Sequence, residues 1–253
     1  MNPALDHLRV PASERCWWCG ALATTEEHRI KASTLRRVAR SEDGTVTPGN
    51  VFKKSSDYEA TLHSLKRGTQ IRWPKNLCGN CNNSKSQPFD RAYDVFEAFL
   101  VARIDELSTW ARLDWETVFG TEWQTGARDL ARYFGKQLGC MLSAQQLPVP
   151  DELVEFLDGN DWCPSICFML YINPRAVNLH EQMTSEGDLH GLSGFVGLLA
   201  SEAFQTADGV FSGVNYGYHI GYLWFIAEWR AGTSRHSWFK YQVIDLPRLV
   251  EAE

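Results

Sequence analysis

The sequence predicts an α+β protein: a small N-terminal module, then long helices, then a mostly antiparallel sheet. Three observations carry this. Cys16-Trp17-Trp18-Cys19 and Cys78-Gly79-Asn80-Cys81 are two CxxC pairs, a spacing suited to a small metal-held module. Apolar residues at Phe96, Phe99/Leu100, Ile104, Leu107 and Trp110/Ala111 recur at three and four residues, as the buried face of a helix requires. From Ser165 onward the pattern changes to strand-length apolar or alternating runs separated by glycines, which reads as a sheet. The two parts are expected over residues 1–120 and 121–253, with a boundary where Gly120 and Gly126 flank a weakly patterned patch.

The elements follow in order. Residues 1–13 read as a lead-in. Gly20 after the first CxxC permits the tight turn of a metal knuckle. Leu22 to Ile30, rich in Thr, reads as a β-hairpin arm carrying His28. Lys31 to Arg40 is a helix or loop with exposed cations, and Ser41–Gly44 and Pro48–Asn50 are turn chemistry. Residues 51–75 form an insertion in which Lys53, Lys54, Lys66, Arg67, Arg72 and Lys75 alternate with Tyr58, His63 and Trp73. Basic and aromatic residues mixed in this way suit a nucleic-acid backbone; a solvated helix over Asp57 to Lys66 is the alternative. Cys78 to Ser86 turns into a short helix, and Pro88 opens the long one. Further helices are expected over Ala127–Leu142 and Asp151–Leu157. Strands are expected over Ser165–Ile172, over Gly209–Trp229 as a hairpin, and over Trp238–Ile244. His180 and His190 stand among acidic residues at no known metal spacing and read as loop residues. Cys140, Cys163 and Cys167 read as core thiols.

Composition bounds the class. A chain of 253 residues, 44% apolar and 12% aromatic, has material for one large or two modest domains. It contains no run of about 18 apolar residues, so no membrane-spanning helix is expected. Met1 to Val10 lacks the basic-then-apolar signature of a secretory signal. Seven cysteines, four of them in CxxC pairs, suit metal thiolates in a reducing cytoplasm better than a secreted disulfide framework. The net charge is −6, but residues 1–90 hold 14 Lys and Arg against 9 Asp and Glu, whereas residues 91–253 hold 11 against 22. Such asymmetry suits a basic working face on the first part and a recognition or partner-binding role for the second.

Cys16, Cys19, Cys78 and Cys81 offer the ligand set of a closed, tetrahedral structural zinc site, with a redox dithiol as the alternative. Between the pairs stands Glu26-Glu27-His28; just before the second pair stands Asn76, and after it Asn82, Asn83 and Lys85. The order CxxC, Glu-His, Asn-Leu, CxxC-Asn-x-x-Lys resembles the HNH nuclease family, whose core is the ββα-metal fold. The resemblance covers residues 14–90.

It implies that Glu27 is a ligand of a catalytic divalent ion and that His28 is the general base. It also implies that Asn76 braces the loop and that Asn82 holds the last motif position. Glu26 can stand in for Glu27, and Asn83 for Asn82, although the spacing to Lys85 supports Asn82. An amide and a carboxylate oxygen describe a Mg²⁺ or Mn²⁺ site. Lys85, Lys66, Arg67 and Arg72 are expected to meet phosphates. The implied activity is hydrolysis of DNA phosphodiester bonds, by nicking or cleavage, and analogy within the family extends to bacterial defence against phage. Most aromatic residues of the C-terminal part read as core packing; the part as a whole is expected to be a recognition domain, a site for a protein partner, or a self-association domain. The rival is a zinc-stabilised nucleic-acid-binding or sensor protein without catalysis.

Overall fold

The computed structural model describes residues 3–39, 52–55, 58–61, 64, 71–186, 196–199, 201–208, 211–230 and 237–248. After a 3₁₀ turn, Pro3–Leu8, the chain enters the first CxxC. Residues 25–29 then run antiparallel to residues 71–77, through bridges Thr25↔Leu77 and His28↔Arg72. Arg29 N–H donates to Ile71 O at 2.9 Å and Trp73 N–H to Glu27 O at 2.8 Å. The arm expected over Leu22–Ile30 is therefore half of a ribbon whose other half begins in the last residues of the expected insertion and runs on to Leu77.

Helix α1, Ala32–Val38, buries Thr34 and Leu35. Within the insertion, β1 (Phe52–Ser55) and β2 (Tyr58–Thr61) pair antiparallel, in place of a helix over Asp57–Lys66. The aromatic and β-branched residues of these segments favour strands. A π-helical turn, Asn80–Lys85, leads into α2, Gln87–Val101, whose first turn holds Pro88, a position that loses no helix hydrogen bond.

Next come β3 (Arg112–Asp114), α3 (Trp115–Phe119) and α4 (Trp123–Ala144). Asp114 caps α3 by accepting from Glu116 N–H at 2.9 Å. Helix α5 spans Asp151–Leu157. The sheet region then supplies β4 (Ile166–Ile172), α6 (Pro174–Ser185), β5 (Val196–Leu198), β6 (Ala203–Gln205), β7 (Phe211–Ile220), β8 (Leu223–Arg230) and β9 (Val243–Asp245). The last strand is shorter than expected because Trp238–Lys240 forms a 3₁₀ turn.

The architecture is mixed, with antiparallel sheets, as an α+β fold requires. β4, β8, β7 and β5 lie side by side in that order, and β6 pairs with the free part of β7's edge. The β7–β8 hairpin closes on Gly221, whose φ of +53° suits the tight turn between strands. β9 returns to pair with β3, tying the end of the described chain to the segment after α2.

Helices α2 and α4 cover one face of the five strands. Phe225 of β8 stacks on Phe134 at 4.6 Å and meets Phe96 edge-on at 5.4 Å, and Tyr218 of β7 meets Tyr93 and Phe134. One hydrophobic cluster runs from Cys16 to Leu246 and draws residues from both sides of position 120. Cys140, Cys163 and Cys167 are buried within the fold. Among the described residues no helix is long and apolar enough to cross a membrane.

Candidate metal centre and adjoining groove

The first CxxC closes on itself before it meets the second. Cys16 N–H donates to Ala21 O at 2.6 Å and Gly20 N–H to Cys16 O at 2.8 Å. Gly20 sits at φ +75°, where a side chain would be strained. The second CxxC lies at the entry to the π-helical turn. Together the Sγ atoms of Cys16, Cys19, Cys78 and Cys81 lie within 4.8 Å of one another, with Cys19 and Cys78 3.6 Å apart.

Zinc bound tetrahedrally at Zn–S distances of about 2.3 Å needs S···S edges of about 3.8 Å, so the four thiols fit this ion with little rearrangement. Among the described residues they are the one group of three or more Cys, His, Asp or Glu close enough to share a metal. Cys81 N–H, 3.4 Å from Cys78 Sγ, draws the Cys78 thiol down to about 7. Burial pushes the Cys16 and Cys81 thiols up. Four thiols crowded together do not ionise without a compensating cation, which is what a bound zinc supplies.

The two residues inside the first CxxC fasten the knuckle to the body. Trp18 stacks on Phe89 of α2, and its indole N–H donates to Asp158 at 2.9 Å. Trp17 lies so close over Gly139 of α4 that a Cβ there would stand 2.4 Å from the indole ring. Lys85 is exposed but engaged: it pairs with Asp158 at 2.6 Å and lies over the Trp18 ring.

The ribbon presents two different faces, because successive residues alternate. Glu27 turns inward. Its carboxylate accepts from Gln137 at 3.2 Å and pairs with Lys136 at 3.2 Å. Lys136 is fully buried and also lies 3.3 Å from Asp90 and from Ser86 Oγ. Burial alone would push this ammonium down and Glu27 up; at Lys136 the two carboxylates outweigh burial, and its pKa lies above the ordinary lysine value. Gln137 completes the clip, donating to His28 O at 3.0 Å and accepting from Trp73 Nε1 at 2.8 Å. α4 thus holds both strands of the ribbon from one turn. Lys136 and Gln137 carry no motif, but they share a helix face with Tyr133 and Cys140 at helical spacing, and polar residues in an otherwise apolar stripe are the signal that marks them.

The outer face carries Glu26, His28 and Arg72. Arg72 lies opposite His28 and pairs with Glu26 at 3.4 Å. Burial, then the charges of Arg72 and Arg36, hold the His28 imidazole below its ordinary range. Glu26 and Arg72 also line a shallow groove of about 410 Å³ with Lys75, Asn82 and Asn83. Asn82 is anchored by its backbone, N–H to Cys78 O at 3.0 Å and C=O to Ser86 Oγ at 2.7 Å. Its side-chain Oδ1 is buried without a partner. Asn76 is buried, donates from Nδ2 to Cys140 O at 2.9 Å and accepts at its backbone from Trp17 N–H at 3.1 Å.

The structure therefore brings Glu26, Arg72, Asn82 and Asn83 to one groove, sets His28 next to Arg72 at its side, and turns Glu27 away into the protein. Lys66 and Arg67 lie outside the described residues, as does His63. Trp73, a candidate for base contact in the sequence, is buried under Arg29. No family model matches the chain, and no curated protein or solved structure matches it. The likeness to HNH nucleases rests on the motif residues.

Proposed function

We propose that the chain is a metal-dependent endonuclease of the HNH type that hydrolyses phosphodiester bonds in DNA. The observation that supports this most is the groove beside the thiol cluster, which Asn82 and Glu26 line together with Arg72 and Lys75; the Asn82 Oδ1 is buried and unpartnered, so a side-chain turn toward the groove would make it a ligand. Two hard oxygen donors of this kind suit a largely hydrated Mg²⁺ or Mn²⁺ ion. Glu26 is the carboxylate on this side; Glu27 braces the ribbon against Lys136. When bound, such an ion supplies positive charge to the phosphate and to the leaving 3′ oxygen.

The protein's own groups do the rest. His28, neutral at pH 7 because its pKa is depressed, accepts the proton of the attacking water. Arg72 and Lys75 attract and orient the phosphate. The four thiols, with zinc, fix the ribbon to the turn that carries Asn82. One site per chain makes nicking the elementary event, and a role in defence against phage belongs to this reading by family analogy.

A supercoiled-plasmid nicking assay tests it. Nicking should require Mg²⁺ or Mn²⁺ and stop in EDTA. His28→Ala should lower the rate by about 10² to 10⁴, with zinc content and fold unchanged. Full activity in EDTA, or wild-type rates without His28, would refute the assignment. One observation favours a second reading, a zinc-held nucleic-acid-binding or sensor protein without catalysis: the motif's own Glu27 is consumed by Lys136 and Gln137. That reading predicts DNA binding with no nicking under any divalent ion.

A further inference from the structure

On the far side of Lys75 from the groove lies a deeper pocket of about 430 Å³. It is bounded by the segment leading into the first CxxC, by Pro74–Asn76, and by the end of α4 with the loop that follows. Its size falls in the range of pockets for small organic ligands. Much of its wall is apolar and stiff, with Trp17, Pro74 and Val149 among the lining residues. Arg15 and Lys75 also line it, and no Asp or Glu does. In a chain of net charge −6, Arg15 and Lys75, both exposed, are the charges that favour an anion here, against Cys16 of the four-thiol cluster, which also lines the pocket and disfavours one when ionised.

The pocket has polar definition as well. Asn76 is a wall residue whose Nδ2 is fixed on Cys140 O, so the amide cannot turn. Its Oδ1 is buried without a partner, so Asn76 gives the wall a fixed shape rather than an open acceptor. Arg15 uses one guanidinium nitrogen on Gly20 O, and Lys75 makes no ion pair among the described residues. Lys75 lines the pocket and the groove together.

We propose that this pocket binds a nucleoside monophosphate unit, with the base against the Trp17 and proline wall and the phosphate between Lys75 and Arg15. An apolar wall beside an aromatic ring accepts the face of any base. Two cations without a competing carboxylate meet the phosphate. The unit can be part of a strand or a free nucleotide. In the strand-borne form, which rests on the nuclease reading, Lys75 contacts the phosphate that joins a base in the pocket to the scissile linkage in the groove. Such a pocket receives a base only when it leaves the stack, so unpaired DNA is the preferred substrate.

The test is calorimetric titration of the zinc-loaded full chain, without Mg²⁺, with deoxynucleoside 5′-monophosphates, the parent nucleosides, inorganic phosphate, a short single strand and the matching duplex. Saturable binding of at least one monophosphate, about tenfold or more tighter than its nucleoside or phosphate alone, is expected from charge-assisted contacts. Lys75→Glu should weaken it by a similar factor, and Val149→Trp, which fills the pocket, should remove it while zinc content and circular dichroism stay unchanged. Absence of saturable binding, or equal binding by wild type and Lys75→Glu, overturns the proposal. A single strand that binds tighter than the monophosphate and the duplex identifies the strand as the source; a monophosphate that outcompetes the strand identifies a free nucleotide. His28→Ala should bind like wild type. Failure of plasmid nicking with monophosphate binding intact removes the nuclease and leaves the pocket; nicking with no monophosphate binding does the reverse.

Discussion

Around Phe225 the molecule is held by rings: Phe134, Phe96 and Tyr218 meet it at 4.6, 5.4 and 6.4 Å. Around Cys16 aromatic packing continues, with Trp18 on Phe89 and with Trp73 and Leu77 in the same cluster, but directional contacts are added to it: the four clustered thiols and the reach of Lys136, Gln137 and Asn76 between ribbon and α4. The small apolar cluster beside the ribbon holds only Leu35 and Ile71, with Ile30 packed against them. Burial of rings is cooperative but forgiving, since neighbours share its loss. Ionic and metal contacts are not shared. Each depends on protonation, on metal and on one geometry. On the nuclease reading proposed above, a region that has to place a few polar groups around a phosphate gains from the second kind of cohesion, and the body gains from the first.

The sharpest way to break this comparison is to take metal away from the four-thiol cluster, which could hold zinc. Chelation or Cys78→Ala should release the ribbon and both CxxC segments, a loss on the order of 10 kcal/mol in small zinc modules. The sheet with α2 and α4 should stay folded. Hydrogen exchange would show it: amides of residues 16–29 and 71–82 lose protection while those of β7 and β8 keep it. Loss of protection in both regions at the same chelator concentration would mean that the aromatic body depends on the metal as well, and that the contrast is false.

The next effect contrasts one buried charge with one buried ring. Lys136→Met leaves Glu27 and Asp90 facing each other without a cation and should cost about 3–5 kcal/mol. Phe134→Ala should cost a similar 3–5 kcal/mol through its cavity. They differ in pH dependence. Glu27 already has a raised pKa, through burial opposed by Lys136, and without Lys136 it rises further. A carboxyl whose folded pKa exceeds its unfolded value favours the fold when protonated, and that contribution is lost as pH rises through the folded pKa. Lys136→Met should therefore be less damaging at pH 5 than at pH 8, whereas the deficit of Phe134→Ala should be flat. Denaturant midpoints at both pH values check this, and parallel pH curves would show that Lys136 acts through packing alone.

Local chemistry was readable from the residues; distant pairing was not. The zinc-compatible cluster was legible because CxxC places two thiols on one turn without help from the rest of the chain. Helix α5 and strand β4 were legible from short, unambiguous apolar patterns. The pairing of residues 25–29 with 71–77 was not, since its register is set across the insertion by Gln137 and Lys136 of a helix far along the chain. The inward turn of Glu27 follows from the same contacts. Helix α6 overlies the stretch around His180 that reads as loop, although its start carries a signal: Asn173 Oδ1 accepts from Arg175 N–H at 2.9 Å, and Pro174 opens the helix. The aromatic residues of the C-terminal part are mostly core: Tyr216, Tyr218, Tyr222, Phe225, Trp238 and Phe239 are buried.

A smaller effect sharpens the account of the directional contacts. Asn76→Ala removes one buried hydrogen bond between the ribbon strand and α4 and should cost about 1 kcal/mol, a melting shift of about 2–4 °C in a chain of this size. The same substitution should raise hydrogen exchange at Trp17 more than at any residue of β8, because Trp17 N–H donates to Asn76 O. A uniform change would mean that Asn76 acts on the body as a whole.

The smallest expected effect compares two histidines, one from each region. His219 of β7 is buried and held down to about 4, by desolvation opposed by a backbone contact with Gly221. His28 is held below 6.5 by desolvation as well, but Arg72 and Arg36 push it further down and Glu26 pushes it back. The charges facing His28 are partly exposed, so salt screens them; desolvation of His219 has no such lever. Raising the salt concentration should therefore move the His28 titration up by a fraction of a unit, toward 6.5, and leave His219 in place. Arg72→Gln should also move His28 up, and Glu26→Gln should move it down. Proton NMR of the imidazole signals, without added Mg²⁺, reads all three changes whether or not the protein cuts DNA. If His28 is the base, the acid limb of nicking must follow: activity rises as pH climbs through the His28 value, which lies below the ordinary imidazole value, and the limb shifts upward with Arg72→Gln. A limb that stays fixed while the NMR titration moves would take the base role from His28 and leave it as one more charge on the outer face.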